Sequence, residues 1–169
     1  MHVVRRASSI AIAIAIALAF AFPLSTSVVA HGRVEGPHCA YELRAVGRHG
    51  HVIEARLAPL GCFRTLRESM SAGTPRGSVM IGTEFDHAGF DGESVSFFAS
   101  SACNGVTWEV ASMPTGWNDK AQSGKGFGGC DHNKKFAGAN FAGDVVTCTP
   151  NCSGYGVLAN EVSSLRWKP

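Results

Sequence analysis

The chain predicts a mainly β fold, an antiparallel sandwich made from one unit used twice, on three observations. The signature Phe85-x4-Phe90-x-Gly92 returns as Phe136-x4-Phe141-x-Gly143, each member 51 positions on (136 against 85, 141 against 90, 143 against 92). Self-similarity at one period marks a repeated supersecondary unit. Each copy is followed by a short Asn/Asp/Ser element, Asn118-Asp119-Lys120-Ala121-Gln122-Ser123 and then Asn160-Glu161-Val162-Ser163-Ser164. The third observation is a series of short β-prone runs broken by glycines: residues 79–85, 93–98, 106–111, and 136 onward to Leu165-Arg166-Trp167. Short, regularly spaced strands with turn signals read as a sandwich, and no long helical period competes in this half.

The first thirty residues stand outside that fold. Met1-His2-Val3-Val4-Arg5-Arg6 is a basic n-region, residues 10–22 are an unbroken apolar run before Pro23, and Val28-Val29-Ala30 offers small residues for cleavage. The run is short for a membrane span. A secretory signal over residues 1–30 is expected, with a mature extracellular chain that starts at His31. Removing 30 of 169 residues leaves 139, enough for one domain with a core or two very small ones.

The formal net charge of +2 belongs to the signal, because Arg5 and Arg6 lie there. The mature chain is formally neutral, which argues against a nucleic-acid or anionic-membrane partner. Within it, residues 31–78 hold seven Arg and four Glu, whereas residues 79–169 hold six basic and nine acidic side chains. An acidic half that carries the duplication suits cation binding, although a solvated surface has the same composition.

All six cysteines, Cys39, Cys62, Cys103, Cys130, Cys148 and Cys152, follow the signal. An even count in an oxidising compartment reads as three disulfides, with 15 pairings open to six cysteines. The local set Cys39–Cys62, Cys103–Cys130 and Cys148–Cys152 is expected, because each bridge closes one structural unit. In the chain-entropy model each contributes roughly 2–4 kcal/mol.

Residues 31–77 form an N-terminal extension. Residues 39–46 and 51–57 alternate, with Gly47-Arg48-His49-Gly50 between them, and so predict a β-hairpin ended by Pro59 and Gly61. Residues 63–70 put Phe63, Leu66 and Met70 on one helical face, with Gly73 as the stop. Residues 71–77 have linker composition, so a second domain is expected over residues 78–169.

The repeated aromatic-glycine signature, with its Asn/Asp-Asn/Asp-x-x-Ser/Thr-Ser element, resembles the βγ-crystallin Greek-key motif. Residues 112–119 and the ending Ser163-Ser164-Leu165-Arg166-Trp167 are similar to secreted actinobacterial members of that group. The resemblance covers residues 79–169 and implies two Greek keys forming a sandwich. It also implies a non-enzymatic domain that holds calcium between its two motifs. Calcium takes six to eight oxygens from carboxylates, amides, hydroxyls, carbonyls and water. Carried over, the ligands are Asn118, Asp119 and Gln122 in the first element and Asn160 and Ser163 in the second, while Ser123 and Ser164 fill the closing serine position. Gln122 stands where Ser or Thr is expected, and Ala159 fills a leading position that cannot ligate. Affinity in the range of about 10⁻⁴–10⁻³ M is therefore expected. In the plainer reading these residues cap turns.

Other chemistries have thinner support. A free N-terminal His31 with His38, His49 or His51 would suit Cu(II), but the remainder of the chain is unlike a copper oxygenase. Cys130-Asp131-His132 suggests zinc only if Cys130 is unpaired. Lys134-Lys135 reads as an exposed charge pair. Trp108, Trp117 and Trp167 could stack on sugars, but packing is the commoner role. No Gly-x-Ser-x-Gly, His-Glu-x-x-His or P-loop is present. The alternative to a calcium module is a protein-binding module, similar to secreted protease inhibitors or killer-toxin-like proteins. Its partner would be an extracellular protein or the cell wall. A monomer that leaves the membrane after signal cleavage is expected.

Overall fold

A computed structural model of the chain describes residues 37–169. The expected signal and His31 lie outside the described residues. Nine strands and one short helix follow in order: β1 His38–His49, β2 Val52–Phe63, α1 Leu66–Ser71, β3 Val79–His87, β4 Asp91–Ala99, β5 Thr107–Val110, β6 Ser123–Gly126, β7 His132–Phe136, β8 Val145–Cys148 and β9 Ser164–Lys168.

The strands form one sheet in the order β6-β3-β4-β1-β2-β5-β9-β7-β8. It folds over on itself, so β3 and β4 face β7 and β9. Phe97 on β4 meets Trp167 on β9 with ring centroids 5.0 Å apart. One buried cluster, including Ile81, Val95, Phe97, Trp108, Val110, Leu165 and Trp167, fills the space between. The connection is Greek key. β5 leaves the first motif to pair with β9 of the second, and Cys152 of the second motif bridges to Gly124 on β6 of the first.

The hairpin is built into this sheet. β1 runs parallel to β4 and β2 runs parallel to β5, so the N-terminal strands join the two halves at what would otherwise be two bare edges. Parallel pairing requires a long connection between partners, and the chain supplies it. The hairpin exceeds its expected length at both strands. Pro59 and Gly61 do not end β2, because a register shift between Ala40 and Tyr41 absorbs them. Pro59 also lies past Ala55, the last β2 residue paired with β5, so its missing N–H costs no bond on that side.

The helix is shorter than expected because Phe63 stays in β2. It starts after Thr65, whose hydroxyl accepts from the Glu68 N–H while the Glu68 carboxylate accepts from the Thr65 N–H. This capping box is visible in the sequence as Thr65-x-x-Glu68. Its buried residue is Ser69, against Ser96 of β4. Gly73 has an ordinary negative φ. A β-carbon there would stand 2.3 Å from the Phe98 ring, so close packing explains this glycine better than chain reversal.

All three disulfides take the local pairing. Cys39 and Cys62 are direct cross-strand partners in the hairpin. Cys103–Cys130 ties the β4–β5 connection to the β6–β7 connection. Cys148–Cys152 ties the end of β8 to the segment bridged to β6, and so fastens the two ends of the strand order.

Candidate ion-binding site at the paired loops

Each repeat folds its first hairpin over and pins it with a serine. Phe90 and Phe141 have φ of 66° and 62°, and Gly92 and Gly143 have φ of 82° and 75°. Phe85 meets Phe90 edge-on at 5.9 Å, and Phe136 meets Phe141 the same way at 5.6 Å. The Ser123 hydroxyl donates to the His87 carbonyl (2.6 Å) and accepts from the Phe90 N–H (3.1 Å). Ser164 does the same for Gly138 (2.7 Å) and Phe141 (3.0 Å). These two serines are therefore clamps, with both hydroxyl functions engaged within the fold.

The Asn/Asp/Ser elements meet across a local two-fold relation. The Asp119 N–H donates to the Val162 carbonyl (3.1 Å) and the Asn160 N–H donates to the Ala121 carbonyl (3.0 Å). Asp119 and Asn160 occupy the left-handed region, with φ of 55° and 63°. Asp and Asn tolerate that region better than other non-glycine residues. Behind them, the Gln122 and Ser163 N–H groups donate to Phe85 and Phe136 carbonyls at 2.8 and 2.9 Å.

Side chains complete one half of this arrangement and not the other. The Ser163 hydroxyl donates to the Asp119 carboxylate (3.1 Å), and the Asn118 amide donates to its second oxygen (2.6 Å). Asn118, Asp119 and Ser163 thus share one oxygen-rich point drawn from both motifs. The neighbouring Lys120 ammonium pairs with Glu93, lies 3.8 Å from Asp86 and sits over the Trp117 ring, so its charge is engaged away from that point. At the other half Asn160 is exposed, Gln122 is half-buried and Ala159 offers no side-chain oxygen. No hydrogen bond joins the Gln122 and Asn160 side chains among the described residues.

Among solved structures the chain is similar to βγ-crystallin domains. An archaeal βγ-crystallin is 22% identical, with 53% of this chain and 98% of that one covered at a TM-score of 0.39. The N-terminal domain of protein S is 22% identical over 51% and 92% of the two chains, TM-score 0.39. A βγ-crystallin from Ciona intestinalis is 18% identical over 52% and 98%, TM-score 0.40. No family model and no curated protein matches the chain. What decides the fold is the exchange of strands between two motifs whose folded hairpins are pinned alike. The fold is βγ-crystallin-like.

Within that fold the zinc and sugar-stacking candidates lose their geometry, while the copper candidate depends on His31, which lies outside the described residues. His38 is buried at one end of β1 and bonds Ser94 (2.8 Å), while His49 and His51 lie at the hairpin turn. Twelve extended residues put His38 and His49 roughly 35 Å apart, too far to share a metal. Cys130 is disulfide-bonded and cannot serve zinc. Trp108, Trp117 and Trp167 are buried, so none offers a face to a sugar. Lys135 is not an exposed charge. It is buried beside Glu84, its ammonium paired with that carboxylate, which also accepts from the Tyr155 hydroxyl. Among the described residues no helix is long and apolar enough to cross a membrane. No group of three or more His, Cys, Asp or Glu placed to hold a metal ion occurs there either.

Proposed function

We propose that this is an extracellular, disulfide-fastened βγ-crystallin-like module that binds one calcium ion weakly at Asn118, Asp119 and Ser163, and that the ion stabilises the fold. The observation that carries the reading is the Ser163–Asp119 hydrogen bond, which joins the two elements at one oxygen cluster. Calcium would replace the two donors now on Asp119 and complete its shell with carbonyls and water. A single carboxylate keeps affinity low, at about 10⁻⁴–10⁻³ M. The second point, at Asn160 and Gln122, lacks both a carboxylate and a side-chain oxygen at Ala159, so one ion per chain is proposed. Export is supported by three formed disulfides, which belong to oxidising compartments.

Calorimetric titration with calcium tests the reading. One weak site is expected in the parent chain, lost in Asp119→Ala and Ser163→Ala and retained in Asn160→Ala. Absence of heat at millimolar calcium, or equal loss in all three variants, overturns it.

A further inference from the structure

β2 continues for eight residues after its last pairing with β5, at Ala55 opposite Val110. Among the described residues no strand pairs with that edge from Arg56 to Phe63. β5 ends at Val110 and the chain turns away, leaving a hollow of about 630 Å³ between the two. Its walls are Tyr41, Leu57 and Pro59 from the hairpin and Val110, Met113 and Pro114 opposite. A second hollow, about 240 Å³, shares Val46, Ala55 and Ala111 with it and reaches Phe141 of the second repeat. Val46, 61% exposed, lies where the two join, at the register shift between Ala45 and Gly47.

The charge on this groove is one-sided where β2 is unpaired. Arg56 lines it and has no ion-pair partner among the described residues. It stands directly across from Arg44 on β1, whose only carboxylate is its own neighbour Glu42. Like charges directly opposed across a ladder destabilise it.

We propose that the groove takes an extended peptide segment of a partner protein, with apolar side chains against Leu57, Val110 and Met113 and a carboxylate against Arg56. The peptide adds to the open edge of β2, as in strand-addition recognition. Pro59 has no N–H, so the added ladder is confined to Arg56–Ala58. Side chains and the ion pair therefore supply most of the selectivity. The groove borders the Asn118, Asp119 and Ser163 cluster, since the Met113 N–H donates to the Ser163 carbonyl (2.8 Å), but none of its proposed contacts is an ion ligand and the proposal does not rest on calcium.

Selection from a random displayed-peptide library on the disulfide-bonded chain in EDTA tests the proposal, and its outcome is separate from that of the calcium titration. Enriched peptides carrying Asp or Glu among apolar residues are expected. By fluorescence anisotropy they should bind Arg56→Glu and Val46→Asp roughly tenfold or more weakly, a loss of about 1.4 kcal/mol. Val157→Asp, at an 84% exposed residue outside the groove, should bind as the parent does. Restored binding of Arg56→Glu by a Lys-for-Glu peptide would complete the case. No enrichment, enrichment without carboxylates, or equal binding to Arg56→Glu overturns the proposal.

Discussion

Glu84 and Lys135 hold the same position in the two repeats, one residue before the leading phenylalanine, and meet in the interior with opposite charge. Side chains alternate along a strand, so with each phenylalanine under its folded hairpin the residue before it points to the opposite face. Glycines make the room. A β-carbon at Gly124 would stand 2.1 Å from the Tyr155 hydroxyl, and one at Gly82 would stand 2.2 Å from the Trp167 ring nitrogen. Removing one member of a buried pair strands the other, so Lys135→Met should cost about 3–5 kcal/mol in urea unfolding. Glu84→Gln with Lys135→Met should recover much of that loss. Burial, and then the Glu84 charge, raise the Tyr155 pKa well above its usual value near 10. Raised in the folded state, that phenol contributes stability below pH 10, lost as pH climbs above it. Alkaline unfolding followed at 295 nm should therefore release Tyr155 only as the chain unfolds, and Tyr155→Phe should abolish the phenolate signal of that residue. Chain position alone hid this pair: Lys134-Lys135 looks like a surface doublet unless the 51-residue register is carried back to Glu84.

Strands were the most legible elements. The glycine and aromatic spacing placed β3, β4 and β5 within a few residues, and the disulfide pairing followed from locality. What misled was backbone accommodation, since Pro59 sits beside an unpaired edge and Gly73 serves the Phe98 ring. The role of the closing serines was also invisible, because a hydroxyl that clamps a hairpin and one that could ligate calcium look alike in sequence. Ser123→Ala and Ser164→Ala should each lose about 1 kcal/mol by removing the acceptor of a part-buried N–H, that of Phe90 or of Phe141. Gly92→Ala should be worse than Gly143→Ala. Its β-carbon would meet Asp86 and His87 at 2.2 Å, whereas the Gly143 counterpart finds Ala137 at 3.3 Å. Thermal unfolding of the pair checks the ranking. Among the disulfides, loss of Cys103–Cys130 should cost more than loss of Cys148–Cys152, about 3.5 against 2 kcal/mol, because it closes the longer loop.

At the scale of the molecule, the proposed calcium ion would add to the same folding free energy that the sheet supplies. A ligand bound only by the folded state adds RT ln(1 + [L]/Kd), so 5 mM calcium at a Kd of about 0.5 mM adds roughly 1.4 kcal/mol. The melting temperature should rise by several degrees and return with EDTA. The duplication, the mainly β class and the two-motif sandwich were readable from the sequence. The insertion of the hairpin between the motifs was not, because parallel partners so distant leave no local pattern.

That insertion also dictates an order of assembly. β1 can zip to β2 as soon as both exist, yet His38 waits 56 residues for Ser94, and Val52 waits for Thr107. Such remote contacts slow folding because the intervening chain must close first. The earliest-made strands are thus among the last to find their seats, and a fragment starting at Ser78 should clump through the two strand borders they normally occupy.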